Sequence, residues 1–322
     1  MRTALLATMS AVSLLTWPAS QATTAPPAPP VASGPADALP GADIPTVKVH
    51  RYTMSGAIRP LLFWISRDDV GLARIVWRRG ETGARAYELL VGTDPGRAPR
   101  AINRWGFISE EALGPTGSLL AMMTGAYDTT LDEETASAEK PGSGGDFRAI
   151  RTRVHAGGQT WQVARIRTPT ALTIHDVDAA IDEVRRGSST GTQRQLPISP
   201  GVRPGFLIAV AELIDRAVEA APDQGRTRSV LSVRVPYVFG RDTFELQARE
   251  IEQVKVPYAG TTLPAVRTGF EIRTIATGAR TRFEVTCGTR GEMAGVPLAI
   301  EWQPRWWLRV RLRLEQPTTA QS

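Results

Sequence analysis

From Val296 to Leu314 apolar and polar positions alternate: Val296, Leu298, Ile300, Trp302, Trp306, Leu308, Val310, Leu312 and Leu314 share one parity, and Arg305, Arg309, Arg311 and Arg313 the other. Period two is the signature of a half-buried strand, because successive side chains point to opposite faces. Pro304 cannot donate to a ladder and is expected to split the run into two strands. The same alternation recurs at Ala73/Ile75/Trp77, Tyr87/Leu89/Val91, Leu231/Val233/Val235/Tyr237/Phe239, Phe244/Leu246/Ala248, Val266/Phe270/Ile272 and Phe283/Val285/Cys287. Residues 102–108 and 119–124 add further strand candidates, and Phe147–Val154 with Trp161–Ile166 reads as a hairpin turned by Gly157-Gly158. The period changes in the middle of the chain. Val177, Ala180, Ile181 and Val184 are at helical spacing, with Asp176 placed to cap and Gly187 to stop. Pro204 to Ala221 carries a broad apolar stripe of Phe206, Leu207, Val210, Leu213, Ile214, Ala217 and Val218, a second helix. Arg67-Asp68-Asp69-Val70-Gly71 has the composition of a turn, and Ser188–Gln195 that of a flexible loop.

This order of elements predicts a strand-rich α+β protein: an antiparallel curved sheet or half-barrel with two central helices packed on it. The expected organisation is a signal peptide over 1–22, a Pro/Ala-rich linker over 23–45, a β-rich half over 46–170, a helical connector over 171–222, an antiparallel sheet over 223–316 and a tail over 317–322. The leader reading rests on Arg2, the apolar run Ala4–Trp17, too short to span a bilayer, and small residues ending at Ala22. It implies a periplasmic or secreted protein without a transmembrane helix in its mature chain.

Composition changes this picture little. The 322 residues carry a formal charge of +6, and only Lys48, Lys140 and Lys255 among the basic residues are lysine. The basic residues are interspersed with acidic ones, so no nucleic-acid arm is expected. Cys287, the single cysteine, precludes an internal disulfide and a lipoprotein anchor near residue 22, and its place on an apolar strand face reads as a buried thiol. No phosphate-binding glycine loop, zinc cluster or His-Glu-x-x-His occurs, so no cofactor or metal is expected.

Five groups could carry chemistry or binding. Asp68 and Asp69 are paired carboxylates. His175 beside Asp176 could be a base with its orienter, or simply a helix start. Arg104-Trp105 sets a cation beside an aromatic surface, suited to a carbohydrate or anionic ligand. Trp302 and Trp306 place large aromatics on an apolar face. Arg309, Arg311 and Arg313 repeat at about 6.8 Å along their strand. They suit a lipid or an anionic envelope component, while the plainer reading is cross-strand pairing with Glu245, Glu271 and Glu284.

The stretches Arg67-Asp68-Asp69-Val70-Gly71, Glu88-Leu-Leu-Val-Gly-Thr-Asp-Pro95, Ile102-Asn-Arg-Trp-Gly106 and Pro304-Arg-Trp-Trp-Leu308 resemble an uncharacterised family of secreted bacterial proteins. That resemblance implies export and no particular activity. The residues themselves fit a non-enzymatic binding or carrier protein for an apolar or lipid-like ligand, held in a cleft between sheet and helix. The alternative is a secreted hydrolase or carbohydrate-active enzyme using Asp68/Asp69 or His175/Asp176.

Overall fold

The computed structural model describes residues 46–59, 64–79, 84–114, 116–124, 145–155, 158–186, 192–199, 201–221, 228–305 and 308–316. The expected leader, linker and tail, Gly187 and Trp306 lie outside the described residues.

Seven strands lead from the start of the described chain: β1 (Thr46–Ile58), β2 (Ile65–Arg79), β3 (Arg85–Thr93), β4 (Trp105–Leu113), β5 (Thr116–Thr124), β6 (Gly145–His155) and β7 (Gly158–Thr168). Helix α1 (Val177–Arg186), strand β8 (Thr192–Leu196) and helix α2 (Phe206–Glu219) follow. The chain then returns to strands: β9 (Arg228–Phe239), β10 (Asp242–Tyr258), β11 (Thr261–Thr274), β12 (Arg280–Gly288), β13 (Pro297–Arg305) and β14 (Leu308–Leu314).

All fourteen belong to one sheet in the order β8-β7-β6-β5-β4-β3-β2-β1-β14-β13-β12-β11-β10-β9. Every neighbouring pair is antiparallel. Each half is a meander, and the halves are joined where β1 pairs with β14, Tyr52 opposite Leu314 and Ile58 opposite Leu308. The edges are β8 and β9, which do not pair with one another in the sheet order. The segment leading into α2 lies along the β9 edge: Arg203 N–H donates to the Pro236 carbonyl at 2.8 Å, and Val238 N–H to the Arg203 carbonyl at 3.0 Å.

The curvature follows from which side chains share a core. One buried cluster takes Ile108, Leu119, Ala121, Met123 and Ile150 from β4–β6, Val235, Tyr237, Phe244, Leu246, Phe270 and Val285 from β9–β12, and Ala209, Leu213, Ile214 and Ala217 from α2. These strands sit toward opposite ends of the sheet order, so they can meet only if the sheet bends round on itself. The Thr152 hydroxyl, on β6, donates to the Gly240 carbonyl in the β9–β10 turn at 3.3 Å, across the same closure. A second interior cluster gathers Tyr52, Met54, Ala73, Val91, Trp302, Val310 and Leu312.

Strand β5 shows why the sheet is apolar on both sides here. Leu119, Ala121 and Met123 belong to the interior cluster with α2. Leu120 and Met122, on the other parity, belong to a cluster with Ile174, Val177, Ala180, Ile181 and Val184 of α1 and its approach. Burial on both faces removes the alternation, as in other doubly covered strands.

Three expectations need correction. The Arg67–Gly71 turn is a bulge inside β2: Met54 pairs with Gly71 and Gly56 with Arg67, so three residues face Ser55 alone. Asp69 absorbs the extra length at φ 54, a conformation that a short acidic side chain tolerates. Part of the expected Ser188–Gln195 loop is strand β8, whose backbone pairs with the otherwise open edge of β7. The break near Pro304 comes after Arg305, where β13 ends, because Pro304 sits in a register irregularity between Trp302 and Arg305 and needs no ladder bond there.

Candidate functional site

Ile108 and Glu110 share a parity on β4, so a carboxylate points into the apolar interior. Glu110 is fully buried. Its Oε2 accepts a hydrogen bond from Ile208 N–H in the first turn of α2 at 3.0 Å. Gly205, just before α2, makes no side-chain cap bond, so this distant carboxylate takes the place of the usual N-cap side chain. Burial pushes the Glu110 carboxyl up to about 7, and the N–H groups of Ile208, Leu207 and Phe206 oppose the shift.

Beside it stands Tyr237, also fully buried. Burial, and then the charge of Glu110, raise its phenol above the ordinary tyrosine range. Neither the Tyr237 hydroxyl nor Glu110 Oε1 has a hydrogen-bond partner among the described residues. An unpartnered buried polar atom costs about 1–3 kcal/mol. The surroundings are aromatic. Phe244 stacks on Tyr237 at 5.4 Å between ring centres. Phe206 packs on Tyr237 at 5.6 Å and on Phe283 at 6.1 Å, and Phe283 stacks on Phe270 at 5.0 Å. The result is an apolar, aromatic seat around two polar atoms at the start of α2.

The residues singled out by sequence lie elsewhere. Asp68 and Asp69 are exposed on the β2 bulge. Trp105 is 1% exposed, packs on Phe147 at 5.6 Å and donates its indole N–H to the Leu172 carbonyl. Its ring therefore cannot stack on a sugar, and the expected Arg104-Trp105 surface does not form. Both the amide and the carbonyl of Arg104 are bonded to Thr93. His175 does not pair with Asp176: its Nε2 lies 3.5 Å from Asp94 Oδ2, while Asp176 accepts from the Thr173 hydroxyl. The short Thr173–Asp176 turn holds the aspartate on its own segment and leaves His175 facing the β3–β4 connection. Trp302 is buried in the second interior cluster, and Trp306 lies outside the described residues.

Most of these residues nonetheless gather at one junction. Asp94 N–H donates to the Val70 carbonyl at 3.0 Å, tying the β2 bulge to the β3–β4 connection. Asn103 and Trp105 both donate to Leu172, tying that connection to the approach of α1. The carboxylates and imidazole at this junction are solvent-facing, apart from the half-covered Asp94. Among the described residues no group of three or more His, Cys, Asp or Glu side chains is placed to hold a metal, and no helix is long and apolar enough to cross a membrane.

The arginine ladder has different partners from those expected. Arg311 pairs with Glu301 at 3.0 Å. Glu284 pairs with Arg267, Glu245 with Arg234, and Glu271 with Arg249, Arg280 and Arg282. The cause is strand order: β14 lies between β1 and β13, so Glu245, Glu271 and Glu284 are at least one strand too far away.

No family model matches the chain, and no curated protein matches it. Among solved structures it is similar to a beta-barrel-like protein of domain of unknown function DUF1849 from Brucella abortus, at 9% identity and a TM-score of 0.37, over 83% of this chain and 96% of that one.

Proposed function

We propose that the chain is an exported, non-enzymatic binding or carrier protein for an apolar or lipid-like ligand, and that α2 stands in the place such a ligand takes. The observation that carries this reading is the pair of fully buried, unpartnered polar atoms, the Tyr237 hydroxyl and Glu110 Oε1, set in an aromatic seat. Ligand pockets combine an apolar lining with a few polar groups that fix orientation. Here the apolar lining is already covered by α2, so a ligand enters by exchange with the start of that helix. Its body replaces the side chains of Phe206 and Leu207, and its hydroxyl or carbonyl head meets Tyr237 and Glu110.

The test is co-purification. Full-length protein taken from a native envelope, extracted with organic solvent and analysed by mass spectrometry, is expected to release an apolar molecule with one polar head. A fluorescent fatty-acid analogue should bind the same protein, and Tyr237→Phe should weaken that binding by about fivefold, the loss of one hydrogen bond. Protein that releases nothing and does not bind the analogue removes the proposal.

A further inference from the structure

The face of β9–β12 opposite the interior carries a second feature, independent of the seat. Arg234, Glu245, Gln247, Arg249, Glu271, Arg273 and Arg280 line a basin of about 250 Å³. The register builds it. Gln247 is opposite Arg234 on one side and Glu271 on the other, while Arg273 lies between Glu245 and Arg280. Those on β10 and β11 alternate with the inward-facing Leu246, Phe270 and Ile272, and Arg234 is next to the inward-facing Val235, so the sheet that fills the core on one side forms the basin on the other.

Glu271 organises it. The residue is 3% exposed. Its carboxylate is 2.7 Å from Arg249, 2.8 Å from Arg282 and 3.3 Å from Arg280. One carboxylate holding three guanidinium groups leaves a surplus of positive charge and fixes where it lies. Arg273 adds to that surplus. Glu245 stands opposite it but pairs with Arg234 at 3.6 Å, and Arg273 itself forms no ion pair with a described residue. Its other cross-strand neighbour is Arg280, and like charges directly opposite in a sheet repel. The four lining arginines and two lining glutamates leave the basin a formal charge of +2.

We infer that this basin binds a phosphate group. A phosphate monoester carries about −1.5 to −2 charges at neutral pH, which matches the surplus. Guanidinium forks suit its oxygens. The basin is smaller than the roughly 300 Å³ at which pockets for whole small molecules begin, so it takes the phosphate and not the body attached to it. The phosphate relieves the Arg273–Arg280 repulsion by lying between them, with Gln247 as a neutral hydrogen-bond donor.

Calorimetric titration of the full chain with inorganic phosphate, and flotation with phosphatidylcholine vesicles with and without phosphatidic acid, test this and separate the two sources. Binding of inorganic phosphate is expected, or binding of phosphatidic acid vesicles alone if the group is a lipid headgroup. In either case Arg273→Gln and Arg234→Gln should weaken binding about tenfold. Arg313→Gln, which removes the same charge from β14 outside the basin, should leave it unchanged. Both basin variants are expected to keep the wild-type melting curve. Equal losses in the Arg273 and Arg313 variants would reduce the effect to general surface charge and overturn the assignment. So would folded protein that binds neither probe.

Discussion

Glu110 on β4 caps a helix that begins almost a hundred residues later, through the 3.0 Å bond it accepts from Ile208 N–H. The carboxylate meets the positive end of α2, yet burial outweighs the helix and raises its proton affinity from 4.5 to about 7. A raised carboxyl stabilises the fold in its protonated form. That contribution is complete below pH 4.5 and is lost as pH rises through about 7. The stability of wild type relative to Glu110→Gln should therefore fall by about 3 kcal/mol between acid and mildly alkaline pH. Urea unfolding at several pH values measures it. A difference that is flat with pH would show that Glu110 is not the titrating group.

Gly205 is needed for the same contact. A β-carbon there would lie 2.2 Å from Glu110 Oε2, so Gly205→Ala must displace the carboxylate from α2. A loss of about 1–3 kcal/mol is expected. In a Glu110→Ala background the clash is absent and the loss should shrink. A double-mutant cycle reads this coupling directly, and simple additivity would disprove it.

Helix α1 is clasped to the sheet by two ion pairs. Arg185 reaches Glu88 of β3 at 2.5 Å, and Arg74 of β2 holds Asp178. Glu88 is buried and also lies 3.2 Å from Arg78. Glu88→Ala removes the buried carboxylate that Arg185 and Arg78 share, while Arg185 keeps its 3.9 Å contact with Asp182, and about 3 kcal/mol should be lost. Hydrogen exchange should quicken first in α1 and only later in α2. Uniform acceleration throughout would mean that the clasp is not local.

Cys287 is 3% exposed within the α2 cluster, and burial pushes its thiol above the usual range. Native protein should resist iodoacetamide and react once unfolded in urea, as peptide mass spectrometry would show. Rapid native labelling would mean that this part of the interior opens.

What the sequence discloses and what it conceals divide along physical lines. Alternation identifies β12 and β14, and the stripe of α2 is legible because Leu213, Ile214 and Ala217 depend only on local period. Tyr237 is readable as an inward residue of β9 for the same reason. Glu110 is concealed, because Ser109-Glu110-Glu111 resembles the polar end of a strand and only its parity with Ile108 turns it inward. The phosphate basin is invisible in one dimension: Arg273 and Arg280 face each other through register, and Glu271 gathers partners from β10 and β12. The misassigned partners of the arginine ladder come from the same gap, since neither period nor composition encodes strand order.

The β1–β14 seam has a consequence for synthesis. The first described strand is completed only by the last, through seven paired positions. A chain emerging from the ribosome makes β1 and β2 early, but β1 must wait with one ladder edge open until β14 arrives. Contacts so distant in sequence slow folding, and an open edge can recruit another chain. The period of greatest exposure to aggregation therefore falls before the final strand emerges. Chains truncated ahead of Leu308 lack the strand that closes this edge.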